Sequence, residues 1–139
     1  MSKANDALLD RVLDTLIPES EDGRMPSAGA LSLAAGVRAA AAGAEETIEA
    51  GLDALRGAGF ETLDLGERTA VLQELEATQP AFTGGLYMAV CTLYYAHPEV
   101  LTALGLEPRP PFPKGYALDP GNLEALERVR ARGKIFRDA

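Results

Sequence analysis

The residue types that could carry out catalysis are scarce and scattered in this 139-residue chain. It has one cysteine, Cys91, and one histidine, His97, and it contains no CxxC or HExxH motif. A metal site needs several ligating side chains that converge on one point, and nucleophilic catalysis needs a base beside the nucleophile. Cys91 and His97 are six residues apart, so on a helix they do not share a face. We therefore expect Cys91 to be a small buried residue and His97 to lie at a helix end, with no metal site and no catalytic residue in this chain.

Carboxylates are the remaining candidates for acid–base chemistry. Three acidic pairs lie close together in the sequence: Asp10 with Asp14, Glu45 with Glu49, and Glu74 with Glu76. The spacing of the first two pairs places both side chains on one helix surface. In a chain with 21 acidic and 13 basic residues, such pairs are typical of solvated faces. A stand-alone enzyme with a carboxylate-lined pocket inside a helical bundle is an alternative reading.

Two adjacent glycines, Gly84 and Gly85, follow no strand pattern and precede no Lys-Ser/Thr pair. They therefore do not form a phosphate-binding loop. Within a helix, they predict either a close approach of another backbone or a local bend.

The charge distribution limits the partners of this protein. The net charge is −8, and an acidic body repels phosphate backbones, so we expect no nucleic-acid binding. Residues 1–107 carry 6 basic and 17 acidic side chains, whereas residues 108–139 carry 7 basic and 4 acidic ones. The basic C-terminal part is expected to dock either on its own acidic body or on a partner. No apolar run is long enough to predict a membrane span.

Hydrophobic residues recur with helical spacing, and alternating strand patterns are absent. The sequence predicts an all-α, single-domain bundle of six to seven helices. Their approximate ranges are 5–17, 27–42, 44–58, a fourth helix that begins at Asp64, 80–96, 99–104 and 122–132. Asn5, Ser27 and Asp64 are the expected N-caps, and Asp64 has Glu67 three residues later, as in a capping box.

The chain is expected to divide into a helical body, residues 1–106, a proline-rich arm, residues 107–121, and a C-terminal helix with a basic tail, residues 122–139. The arm contains five prolines and two glycines, a composition that favours an extended polyproline conformation. We expect all three parts to belong to one domain.

Aromatic residues are concentrated beside this arm, although they make up only 6% of the chain. Tyrosine is enriched at interfaces because it combines a large contact area with a polar tip. The predicted partner interface consists of aromatic anchors with a rim of charge: Tyr87, Tyr94, Tyr95, Arg109, Phe112, Lys114 and Tyr116. The alternative is that the arm covers the bundle of its own chain and that Tyr94 forms a hydrogen bond across it.

Several segments together resemble the gluconate 2-dehydrogenase subunit 3 family. They are LLDRVLDTLIPESEDGRMPSAG, GFETLDLGERTAVLQELE, FTGGLYMAVCTLYYAHPEVLTALGLEP and the later PKGY. The resemblance covers about residues 8–116 and rests on the order and spacing of these segments.

This resemblance implies a non-catalytic small subunit that binds and stabilises a large FAD-dependent sugar dehydrogenase subunit of the glucose-methanol-choline type, sometimes with a cytochrome c subunit. The flavin would belong to the large subunit, and this chain would hold no cofactor. Family members often carry a twin-arginine export signal, which the N-terminus MSKANDALLD lacks. We therefore expect a cytoplasmic complex, and a periplasmic one only after removal of a signal or export by the partner. A homo-oligomeric structural protein is the remaining alternative.

Overall fold

The computed structural model describes residues 3–110, 112–115 and 121–133. The fold is all-α, as the sequence predicts, and no β-strand occurs in these ranges. The described residues form seven α-helices: α1 (Lys3–Leu16), α2 (Ala34–Ala40), α3 (Glu45–Gly57), α4 (Leu65–Thr78), α5 (Pro80–Ala96), α6 (Pro98–Ala103) and α7 (Glu127–Ala131).

The chain divides into two compact units, residues 1–109 and residues 110–139. The first unit contains α1 to α6. In the second unit, a 3-10 helix (Leu123–Leu126) leads directly into α7, where the sequence predicts a single helix over 122–132. The assignment of all residues to one domain stays a prediction.

The core of the first unit is built around α1. Leu8, Leu9, Val12 and Leu13 of this helix are fully buried, because their spacing places them on one face. Buried side chains of α2 to α6 join them in one core cluster, and Phe60 of the α3–α4 connection is fully buried there.

The start of α4 follows from local sequence chemistry. The Glu67 amide donates a 2.8 Å hydrogen bond to the Asp64 carboxylate, and the Asp64 amide donates a 3.0 Å bond to the Glu67 carboxylate. These reciprocal bonds satisfy amides that the first helical turn leaves without partners. The predicted capping box is therefore confirmed.

Two predicted N-caps are wrong. Asn5 lies inside α1, and its side-chain amide donates a hydrogen bond to Glu49 of α3. Ser27 does not begin α2, which starts at Ala34. The intervening residues form turns, because the Gly29 amide donates to the Asp14 carboxylate at 3.0 Å and Ser32 has a φ of 54°, outside the right-handed helical region. These long-range contacts override the helical propensity of the segment.

Helix α5 begins at Pro80 and ends at Ala96, as predicted. Its buried residues are Phe82, Leu86, Val90 and Tyr94, a stripe in steps of four. Phe82 packs directly on the backbone of α3, because a Cβ atom on Gly51 would lie only 2.4 Å from the Phe82 ring. A glycine is therefore required where α3 and α5 approach each other.

The predicted arm contains no helix in its described part. Residues 107–110 and 112–115 form turns and bends, and the first of these segments spans the boundary between the two units. The extended polyproline conformation of the whole arm stays a prediction.

Candidate partner interface

Helix α5 carries no charged side chain in its 17 residues, PAFTGGLYMAVCTLYYA. One half of its circumference faces the core. The other half, which we call the α5 face, is exposed and consists of Ala81, Gly84, Gly85, Tyr87, Met88, Thr92 and Tyr95. At 100° per residue these positions form one continuous half-cylinder. An acidic protein thus exposes a helix face whose only polar side-chain groups are hydroxyls.

Three large side chains dominate the α5 face. Met88, Tyr95 and Tyr87 are 66%, 55% and 53% exposed. Met88 was not among the residues predicted from the sequence. The signal for it was present, because a helix without charges that buries only one stripe must expose apolar residues on its other side.

A groove of about 380 Å³ lies beside the α5 face, between α1, α4 and α5. Tyr87 and Gly84 line its α5 side, Leu72 and Glu76 line its α4 side, and Leu16 contributes from α1. Its wall is mostly apolar, with one carboxylate. Such a groove suits an aliphatic or aromatic side chain of a partner protein.

Cys91 lies one helical turn after Tyr87 and is partly buried. The Cys91 thiol raises the pKa of the Tyr87 hydroxyl, with a smaller contribution from Tyr95. Tyr87 is therefore a neutral hydroxyl at physiological pH, able to donate or accept a hydrogen bond.

A second groove, of about 270 Å³, lies on the other side of the α5 face. Gly85 and Ala89 line it from α5, and Ala44, Thr47 and Ile48 line it from the start of α3. The exposed carboxylates Glu45 and Glu46 lie between Ala44 and Thr47 in the sequence. The α5 face is thus a ridge between two shallow apolar grooves.

The glycine pair lies on this ridge. A Cβ atom on Gly84 or on Gly85 would meet no described atom within 4 Å. The prediction that these glycines admit another backbone is therefore not fulfilled within the described chain.

Tyr94 differs from the other predicted interface anchors on α5, Tyr87 and Tyr95. It is only 1% exposed, and its hydroxyl donates a 2.7 Å hydrogen bond to the Pro26 carbonyl. Burial, followed by the neighbouring Tyr95, raises the pKa of Tyr94. Placing Tyr94 at the surface is thus wrong for this fold. Tyr87 and Tyr94 do share a side of α5, but of the two only Tyr94 is buried, with its hydroxyl bound to the segment that contains Pro26.

Tyr95 extends from the core to the α5 face. Its ring packs edge-on against Tyr94, with ring centroids 5.2 Å apart and planes at 89°. This geometry is favourable for aromatic pairs, and it holds the exposed Tyr95 ring against a rigid neighbour.

The other predicted interface residues do not lie on α5. Arg109, at the end of the first unit, is partly buried and forms an ion pair with Glu107. Phe112 and Lys114 belong to the second unit and are exposed, Phe112 by 84%. Tyr116 lies outside the described residues. The roles of these four residues at an interface stay predictions.

Comparison with known proteins decides the family. A family model described as gluconate 2-dehydrogenase subunit 3 matches residues 3–110. The chain belongs to this family. A search of curated proteins and a search of solved structures found no match. The resemblance deduced from the sequence segments is therefore confirmed, and the family name places this chain among the subunits of a dehydrogenase complex.

The α5 face lies wholly within the part of the chain that matches the gluconate 2-dehydrogenase subunit 3 family. Within the described ranges, no helix combines the length and apolar content needed to cross a bilayer. The apolar residues of α5 are divided between the buried core and the exposed α5 face.

Two carboxylates line one groove of this subunit 3 family member, and each of them is held by a neighbouring group. A groove of about 480 Å³ between α2 and α3 contains Glu45 and Glu49. Arg38 binds Glu49 at 2.6 Å, and the Gly43 amide lowers the pKa of Glu45. Both carboxylates thus have partners within the chain. Among the described residues, no cluster of three His, Cys, Asp or Glu side chains could hold a metal ion.

Asp10 of α1 is the carboxylate with the most unusual surroundings. One of its oxygens is buried without a hydrogen-bond partner among the described residues. Burial raises the pKa of Asp10, and the charges of Asp14 and Asp6 raise it further. Asp10 does not line any of the grooves described above, which argues for a local cost in stability rather than for a reaction.

Replacing Asp10 by asparagine is expected to raise the melting temperature at neutral pH. The folded state binds the proton of Asp10 more tightly than the unfolded state does, so ionised Asp10 lowers the free energy of unfolding. This cost is present above the folded-state pKa and disappears as the pH falls toward the ordinary value of 3.8. Thermal melts of Asp10→Asn and the natural chain from neutral to acidic pH measure the effect, with exposed Glu61→Gln as the control. A gain that stays constant down to acidic pH would contradict this origin.

Proposed function

We propose that this chain is a non-catalytic small subunit that binds and stabilises a large FAD-dependent sugar or glycoside dehydrogenase subunit of the glucose-methanol-choline type. The observation that carries the proposal is the α5 face, a large uncharged surface on a strongly acidic protein that belongs to a family of dehydrogenase subunits. Aromatic and methionine side chains are enriched in the buried centres of protein interfaces, whereas charged residues are depleted there.

In this proposal the flavin is bound by the large subunit. A dinucleotide is commonly bound where a strand passes through a glycine-rich turn into a helix, and the described ranges contain helices and turns only. We therefore assign FAD and the catalytic groups to the large subunit. The contribution of this chain is to bind the folded large subunit and to shift its folding equilibrium by mass action, by about 2.7 kcal/mol when the free subunit is at 100 times its dissociation constant.

Producing the large subunit with and without this chain tests the proposal. Without the chain, we expect a lower yield of soluble large subunit, a lower FAD content per polypeptide and a lower melting temperature, because its folded state then lacks a stabilising ligand. Adding the purified chain back to the isolated large subunit should restore the melting temperature. Full yield, flavin content and stability in the absence of the chain would refute the proposal.

The same preparation tests the accompanying predictions. Sedimentation of the pure chain at micromolar concentration separates the proposed hetero-complex from a homo-oligomeric structural protein, since a monomer is expected here. Haem absorbance in the complex purified from the native host reveals a cytochrome c subunit. Fractionation of the host cells tests the cytoplasmic location expected from the sequence.

A further inference from the structure

No contact with the described residues explains why positions 84 and 85 of α5 are glycine. Glycine is less favourable than alanine in a helix interior, and here alanine would meet no described neighbour within 4 Å at either position. Gly51 of α3 shows the opposite case, because its missing side chain makes room for Phe82. The pair on α5 therefore leaves room that no described residue of this chain fills.

The charges around the α5 face indicate which charges a partner surface must carry to bind there. Glu76 lines the groove on the α4 side, and the protein as a whole carries a net charge of −8. Among the described residues, no lysine or arginine lines either groove. A complementary surface has an apolar centre and a basic rim.

This charge pattern disfavours a second copy of the chain as the partner. Two α5 faces packed together would bring the carboxylates of both copies near the same interface, and like charges across an interface oppose association. A partner with basic side chains instead gains attraction along the α4 edge of the ridge.

We propose that the large flavoprotein subunit lays a backbone segment, flanked by lysine or arginine side chains, across Gly84 and Gly85 on the α5 face. This inference rests on the proposed function and specifies where its complex forms. The absence of Cβ atoms lets the partner backbone approach the helix axis closely, while Tyr87 and Met88 pack on either side of the crossing segment.

A pair of alanine substitutions separates docking from folding. Gly84→Ala/Gly85→Ala is expected to raise the melting temperature of the free chain by several degrees, because alanine is the better helix former. The same variant is expected to weaken binding to the purified large flavoprotein subunit by about tenfold or more. Gly57→Ala is the matched control, since Gly57 is also helical with open space around its Cβ position but lies on α3. It should leave the dissociation constant unchanged.

Charge and proximity provide two further measurements on the same complex. Glu76→Lys should weaken binding, and added salt should weaken binding of the natural chain. A photo-crosslinking amino acid at position 88 should attach to the large flavoprotein subunit. Crosslinking instead to a second copy, or to residues 121–133 of its own chain, would overturn the proposed docking site.

The outcomes distinguish this inference from the function on which it rests. If no FAD-containing subunit co-purifies with the tagged natural chain, the proposed function fails and the docking site fails with it. If the flavoprotein co-purifies and Gly84→Ala/Gly85→Ala binds it as tightly as the natural chain does, only the docking site is wrong. Stabilisation of the free chain together with loss of binding supports both.

Discussion

Tyr94→Ala is expected to lower the free energy of unfolding by about 4 kcal/mol, as truncation of large core side chains typically does. Tyr94 is almost fully buried, and its hydroxyl binds the Pro26 carbonyl. The substitution therefore leaves a cavity in the core and removes the partner of a carbonyl in the α1–α2 connection. Chemical denaturation of the purified chain measures the loss, which corresponds to a fall in melting temperature of about 12 °C.

Matched variants show whether the position within the fold, and not the loss of a tyrosine as such, causes this effect. Tyr87→Ala removes the same side chain from the α5 face and should change the free energy of unfolding by less than about 0.5 kcal/mol, while weakening binding of the flavoprotein. Tyr94→Phe keeps the ring and should cost only about 1 kcal/mol for the lost hydrogen bond. Equal stability losses in Tyr87→Ala and Tyr94→Ala would contradict the division between surface and core.

Gly51→Ala is expected to destabilise the fold although alanine is the better helix former. Helix propensity favours the substitution by about 1 kcal/mol. The added Cβ would lie 2.4 to 2.5 Å from three atoms of the Phe82 ring, and Phe82 is only 2% exposed, so the ring has little room to move. Overpacking of this kind costs about 3 kcal/mol, and the expected net loss is thus about 2 kcal/mol.

Gly57→Ala makes the same change six residues later in the same helix. No described atom lies within 4 Å of its Cβ position, so we expect a gain of about 0.5 kcal/mol from helix propensity alone. Denaturant titrations of the two variants give the comparison. A stabilising Gly51→Ala would show that α3 and α5 are not in the close contact described here.

The close approach at Gly51 also matters for the proposed interface. Phe82 begins the buried stripe of α5, and its contact with α3 sets how α5 is rotated in the bundle. A shift of this helix would move Gly84 and Gly85 relative to both grooves. We therefore expect Gly51→Ala to weaken binding of the large subunit as well, whereas Gly57→Ala should not.

Local sequence signals predicted much of this fold, because they act over one helical turn. The capping box of Asp64 and Glu67, the bounds of α5 and the buried face of α1 all follow from spacing and side-chain chemistry that need no distant partner. Family membership likewise follows from the order and spacing of short segments along the chain. The scarcity of catalytic residue types also pointed to an interface and not to an active site.

Only the tertiary structure decided what each face of these helices contacts. Tyr87 and Tyr94 project from nearly the same side of α5, and the sequence alone cannot separate them, yet one lines an open groove and the other is sealed beneath the segment around Pro26. Likewise, Gly51 and the Gly84–Gly85 pair are all helical glycines, but only Gly51 faces another helix. The difference arises because helical periodicity defines directions around one axis, whereas burial depends on which distant segment packs there.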